Sequence, residues 1–125
     1  MIEVSPVAQA RISEASGAFR AAGLSRELAG VLAALMVQGE ACTQFIMERL
    51  ADLQQPAVSK GTSEGVERGY IRATWEKTEA RKGHIIYSLA KPASEILESL
   101  EALNQAEQRT TVQLAAEARR QRASA

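Results

Sequence analysis

The sequence predicts a single, mainly α-helical domain with one small β-hairpin and a long C-terminal helix. Three observations predict it. Before residue 70, apolar residues recur at helical spacing in successive stretches, each bounded by a capping residue, a proline or a glycine. Two alternating runs, at 70–78 and 84–89, are joined by a polar link that ends in glycine, the pattern of a hairpin. After Pro92 a narrow apolar seam continues for about 25 residues with no turn signal.

The bulk properties bound the answer. A chain of 125 residues makes one domain with a modest core and leaves no room for a second, ligand-binding domain. Only 4% of residues are aromatic, so that core is built from Ala, Leu, Ile and Val. No apolar run approaches the roughly 20 residues of a membrane span, and the N-terminus lacks a signal-peptide pattern. Cys42 is the single cysteine, which excludes an internal disulfide and suits a reducing compartment. The expectation is a soluble cytoplasmic protein without a membrane partner.

Residues 5–21 read as an amphipathic helix: Ala8, Ile12, Ala15 and Phe19 share one face, Ser5 caps it before Pro6, and Gly23 ends it. The stripe is thin, so Ile12 and Phe19 are assigned to dimerisation, against the last helix of this subunit or of a partner. Ser25 opens a second helix that closes at Gly39. Its stripe of Leu28, Val31, Leu32, Leu35 and Met36 is the most hydrophobic in the chain and predicts the core. Glu40 to Cys42 is a connector or a short strand. Thr43 caps a helix over about 44–51 with Phe45, Ile46 and Leu50 inward. Asp52, Leu53 and Gln54 then turn the chain.

The next helix organises the rest. Pro56 suits a first helical position, Gln55 precedes it as a modest N-cap, and Gly69 fits a left-handed exit. Ala57, Val58, Gly61, Gly65 and Val66 are expected inward, and Gln55, Ser59, Lys60, Thr62 and Ser63 outward. A short helix with this polar opening is what a helix-turn-helix protein lays into the major groove. Each interior glycine costs about 1 kcal/mol against alanine. The helix is therefore either loose or packed unusually close to a neighbour.

In the hairpin, Ile71, Ala73 and Trp75 alternate with Arg72, Thr74 and Glu76, and Ile85, Tyr87 and Leu89 alternate with Ile86 and Ser88. Trp75 reads as a packing residue between hairpin and core. In the last helix, Ala93, Ile96, Leu100 and Leu103 lead through Glu107 and Thr110 to Leu114. A seam that narrow on so long a helix predicts pairing with a second copy, coiled-coil fashion, through Ile96, Leu100, Leu103 and Leu114. The weak positions Glu107 and Thr110 predict fraying after Leu114, in the stretch holding Arg119, Arg120 and Arg122.

The runs Gln-Gln-Pro-Ala-Val-Ser-Lys at 54–60 and Glu-Arg-Gly-Tyr-Ile at 67–71 resemble the recognition helix of winged helix-turn-helix transcription regulators, the MarR, ArsR and archaeal TrmB or GbsR-like groups. Arg-Lys-Gly-His-Ile-Ile-Tyr-Ser-Leu at 81–89 resembles the wing of the archaeal regulators, without its proline. The resemblance runs from about Leu24 to about Leu100. It departs at Thr62 and Gly65, where such helices usually carry large aliphatics.

The resemblance implies a winged helix-turn-helix, nearest to the TrmB or GbsR-like regulators. It divides the chain into an N-terminal helix (1–23), the DNA-binding domain (24–91) and a dimerisation helix with a basic tail (92–125). It implies a homodimer on double-stranded DNA, regulating transcription by repression. Gln54, Gln55, Ser59, Lys60, Thr62 and Ser63 would meet the major groove, with Gln55 and Ser59 or Lys60 reading bases, since Gln matches adenine edges and Lys guanine. Arg68 and Arg72 would serve phosphates or surface pairs with Glu64 and Glu67. Lys77, Arg81, Lys82 and His84 would reach phosphate or the minor groove.

The net charge of zero opposes this reading only in part. Residues 1–54 carry four Arg against six acids (−2), residues 55–91 seven Lys or Arg against four Glu (+3), and residues 92–125 four Arg against five Glu (−1). The positive segment is the one that would face DNA, and its field is weak. One cysteine and one histidine supply neither a metal site nor a catalytic set, and Gly61, Gly65 and Gly69 match no phosphate loop. No cofactor, no metal and no enzyme activity are expected; a small-molecule effector is left open. Cys42 reads as a small hydrophobe, with oxidant sensing as the alternative. The rival functions are a protein-docking winged helix and a low-specificity, nucleoid-type DNA binder.

Overall fold

Short-range signals start and stop nearly every helix of this chain. In the computed structural model, which describes residues 4–77 and 83–124, the order is α1 (Pro6–Ala21), α2 (Arg26–Gln38), β1 (Cys42–Thr43), α3 (Gln44–Ala51), α4 (Gln55–Glu67), β2 (Ile71–Glu76), β3 (His84–Leu89) and α5 (Ala93–Ser124). Three helices begin on a side-chain cap, each hydroxyl oxygen accepting an orphan backbone N–H. Ser5 accepts from Ala8 at 3.1 Å, Ser25 from Leu28 at 3.2 Å and Thr43 from Ile46 at 3.3 Å. The helix α4 differs. Its N-cap is Gln54, which makes no side-chain cap bond, and Gln55, expected as the cap, is already its first residue. Its exit is a Schellman motif: Tyr70 N–H donates to Gly65 O at 2.8 Å and Gly69 N–H to Val66 O at 3.1 Å, with Gly69 at φ 79°.

The three strands form an antiparallel sheet in the order β1-β3-β2. Cys42 lies opposite Tyr87 and Thr43 opposite Ile86, so the short connector strand ties the hairpin to the start of α3. The hairpin register runs from Ile71 opposite Leu89 to Glu76 opposite His84.

The core is assembled around α2. Every residue from Leu28 to Leu35 is buried, the pattern of a helix surrounded on all sides rather than one with a single apolar stripe. Around it lie Ile12 and Phe19 of α1, Met47 and Leu50 of α3, Val58 of α4, Tyr70 and Ile71 at the hairpin, and Ile96 and Leu100 of α5. The N-terminal, central and C-terminal segments thus share one core. Among the described residues no helix is long and apolar enough to cross a membrane.

Several expectations are corrected by this packing. Ile12, Phe19, Ile96 and Leu100, assigned to dimerisation, are buried within the subunit at 5%, 1%, 0% and 5% exposure, because the thin stripe of α1 and the first turns of α5 cover each other and α2. Asn104 continues that contact by donating to Ala22 O at 2.9 Å. Leu103 and Leu114 of the same assignment remain exposed. In α3 Met47 is buried together with Leu50, while Phe45, expected inward, stands outside with Arg49 5.3 Å from its ring centroid. The helix α5 continues to Ser124 without a break near Leu114, and the hydroxyls of Thr110 and Thr111 donate back to Ala106 O and Glu107 O at 3.0 Å.

Candidate nucleic-acid interface

The two interior glycines of α4 fix its position. A Cβ on Gly61 would stand 2.5 Å from the Glu27 carbonyl oxygen and 2.9 Å from Val31 Cγ2, so α4 crosses α2 backbone to backbone at that point. A Cβ on Gly65 would overlap the Ile71 side chain, so the first residue of β2 lies across the last turns of α4. The helix is packed close, not loose. Thr62 completes this inner face. It is only 4% exposed and its hydroxyl donates to Ser59 O at 3.0 Å, which removes it from the outward polar set expected of it.

With one face locked, the other is presented. Gln54, Gln55, Ser59, Lys60 and Ser63 are all exposed along α4, and Arg68 is exposed at its C-terminus. Gln44, at the first position of α3, reaches over to Ser59, donating from Nε2 to Oγ at 3.4 Å. The sequence reading passed over Gln44, although its place directly after the Thr43 cap aims it at the middle of α4. Ser25 couples the other end, donating from Oγ to Glu64 Oε2 at 3.1 Å while it caps α2. Glu64 is thereby engaged with α2 rather than with a neighbouring arginine.

On the hairpin, Arg72 and Lys77 are exposed and His84 is half-buried opposite Glu76. Arg81 and Lys82 lie outside the described residues. Trp75, expected between hairpin and core, is 65% exposed; the strands reach past the body of the domain, and its indole covers Gly83 instead.

No known protein-family profile matches the chain, and no curated protein matches it in sequence. Solved structures do resemble it. A possible transcriptional regulator from Methanosarcina mazei Go1 superposes with a TM-score of 0.64 at 12% identity, over 81% of this chain and 85% of that one. A MarR family transcription regulator gives 0.52 at 18% identity, over 94% and 80%. NadR in complex with 4-hydroxyphenylacetate gives 0.52 at 10% identity, over 94% of both chains. The fold is the MarR-like winged helix. In its terms α3 and α4 are the helix-turn-helix, β2 and β3 the wing, and α5 the long C-terminal helix.

Cys42 lies under the wing, 1% exposed, with its thiol donating to Glu40 O at 3.5 Å. Burial, and secondarily the charge of Glu40, push its pKa from 9.0 up to about 11. At neutral pH it is a thiol, the unreactive form, which favours the structural reading over oxidant sensing. Among the described residues no group of His, Cys, Asp or Glu is placed to hold a metal ion.

Proposed function

We propose that this chain is a sequence-specific, double-stranded DNA-binding transcription regulator that acts as a homodimer and represses by occupying its site. The observation that carries the reading is the two-sidedness of α4. Backbone-close packing at Gly61 and Gly65 holds one face against α2 and β2, while Gln55, Ser59, Lys60 and Ser63 stand exposed together on the other. A helix so held presents its polar groups in one fixed arrangement, which is what reading base edges requires.

Gln55 and Ser59 or Lys60 read bases in the major groove. Gln54 meets the major groove beside them, and Arg68, Arg72, Lys77 and His84 contact the DNA backbone. Arg81 and Lys82, which the sequence puts in the link of the wing, grip phosphate or the adjacent minor groove. The exposed seam of α5, with Leu103 and Leu114, pairs with a second copy and sets the half-site spacing. The narrower likeness to archaeal TrmB or GbsR-like regulators rests on the wing run at 81–89, and the protein works in the cytoplasm on the nucleoid. A small-molecule effector has room in a cleft of about 630 Å³ between α1, α2 and the α3–α4 turn, where Ser13, Arg20, Arg26 and Leu53 are among the lining residues.

Titration with mixed genomic fragments at two salt concentrations tests the reading, with a Lys60→Ala, Arg81→Ala double variant alongside. Selective retention of a few fragments, lost in the variant, is expected. Uniform retention that collapses with salt would make this a nucleoid-type binder instead. No retention at low salt would end the DNA reading and point to protein partners.

A further inference from the structure

One hydrogen bond reaches the exposed face of α4 from outside that helix. Gln44 opens α3 from a backbone fixed just before it: Thr43 pairs with Ile86 of the wing and caps the helix by accepting from Ile46 N–H. The half-buried Gln44 side chain donates from Nε2 to Ser59 Oγ at 3.4 Å, in the middle of the exposed polar row. The bond is not what holds the two helices together. Burial of Met47, Leu50 and Val58 and the close crossing at Gly61 already place them, and one long, exposed side-chain bond adds little. Its effect is on the hydroxyl. A serine or threonine inside a helix commonly donates its proton to a carbonyl one turn back. Thr62, Thr110 and Thr111 do so here. Ser59 does not. Among the described residues its hydroxyl is bonded only to Gln44, as the acceptor, so its proton is left for a partner outside the protein.

We infer that Gln44 is a specificity-determining positioning residue: its amide turns the Ser59 hydroxyl outward as a donor and so commits it to an acceptor on a base edge in the major groove. The inference rests on the DNA-binding reading and goes beyond it in giving a residue of α3 a share in what α4 reads. A free hydroxyl is indifferent, since by rotating it can either donate or accept. With one lone pair engaged by Gln44 the proton is directed outward, and the bond it accepts polarises it into a stronger donor. Guanine presents two acceptors in the major groove, N7 and O6, and thymine one, whereas cytosine presents only an amino donor. The pair of Gln44 and Ser59 therefore favours guanine and rejects cytosine at one position of the site. Gln44 itself touches no base; it acts through Ser59.

Selection of bound duplexes from a pool of random sequence tests this, with the parent, Ser59→Ala, Gln44→Ala, Gln44→Glu and the double variant Gln44→Ala, Ser59→Ala run side by side. The position at which Ser59→Ala relaxes the selected sequence is the one that Ser59 reads. There the parent should prefer guanine over cytosine. Gln44→Ala should lower that preference by about three- to tenfold, the size of one hydrogen bond, and leave the other selected positions unchanged. In the Ser59→Ala background it should change nothing further. Glutamate can only accept, so Gln44→Glu should turn the Ser59 proton inward and move the preference at that one position toward cytosine. Its added charge weakens binding of every duplex alike and leaves the comparison between bases intact. A loss of preference spread over all positions would make Gln44 a purely structural residue and overturn the inference. A loss from Gln44→Ala that persists without the Ser59 hydroxyl would overturn it too, giving Gln44 a DNA contact of its own. Selection of the parent's sequences by Ser59→Ala would overturn the inference and leave the DNA-binding reading standing. A parent that enriches no sequence would overturn both.

Discussion

A methyl group at residue 61 would meet the Glu27 carbonyl oxygen at 2.5 Å, a backbone atom that cannot turn aside, whereas one at residue 17, in the middle of α1, would meet nothing within 4 Å. The same substitution therefore has opposite signs at the two sites. Gly17→Ala should stabilise by about 0.5–1 kcal/mol, the ordinary gain of helix propensity. Gly61→Ala has that gain available too, but forcing α4 off α2 should cost more, for a net loss of about 1–2 kcal/mol. Urea unfolding of both variants checks the contrast, and equal shifts would refute the close crossing. The sequence left both meanings of Gly61 open, because a glycine tells of room for a neighbour and not whether a neighbour fills it. Cys42 gives the second residue-scale prediction. The folded state holds its proton up to about 11 and the unfolded chain only to 9.0, so its stabilising contribution is complete below pH 9 and is lost as pH rises toward 11. That difference corresponds to about 2–3 kcal/mol. Cys42→Ala should therefore lose less stability than the parent between pH 8 and pH 11, a comparison in which every other titrating group is shared; parallel losses in the two proteins would contradict it.

Among the elements, those bounded by local chemistry were legible and those shaped by a neighbour were not. Ser5, Ser25 and Thr43 cap helices, and Gly39 and Gly69 end them, through bonds within one turn of the chain, so the residue type carries the information. Thr62 looks like its neighbours Ser59 and Ser63 in sequence, yet it is turned under by the angle at which α4 meets α2. Phe45 and Met47 exchange places because the side from which α3 is approached is a tertiary fact, and Trp75 is left outside by the length of the hairpin beyond the core. The helix α4, proposed to read DNA, offers a test at this scale. Gln54 occupies its N-cap without making a cap bond. Serine there should accept an N–H of the first turn and raise stability by about 1 kcal/mol. If Gln54 also touches DNA, Gln54→Ser should melt at a higher temperature and bind DNA more weakly, a combination that a purely structural residue would not produce. Higher stability with unchanged affinity would remove Gln54 from the interface.

At the scale of the whole molecule, α5 is longer than the domain can cover. Its 32 residues span about 48 Å at 1.5 Å per residue, and the core engages it only as far as Ile96 and Leu100, with Asn104 bonded to Ala22. Beyond that point Leu103, Val112 and Leu114 are 59%, 68% and 60% exposed. A solvated helix of about 20 residues is marginal in water without something to pack against, and a second α5 offers the same apolar seam in return. The sequence reading started that seam too early, since Ile96 and Leu100 are buried in the core with α1 and α2. The two halves of the seam should therefore separate under mutation. Ile96→Glu buries a charge in the subunit core and should prevent folding altogether. Leu103→Glu with Leu114→Glu should leave the winged helix folded, while sedimentation shows a monomer and circular dichroism shows a partial loss of helix from the unsupported end of α5. In the proposed homodimer this would turn a dimer holding two half-sites into a monomer holding one, so DNA affinity should fall by far more than loss of a single contact would lower it. A double variant that remains dimeric with full helix content would place the subunit contact elsewhere, and the half-site spacing would then have to be set by a surface other than α5.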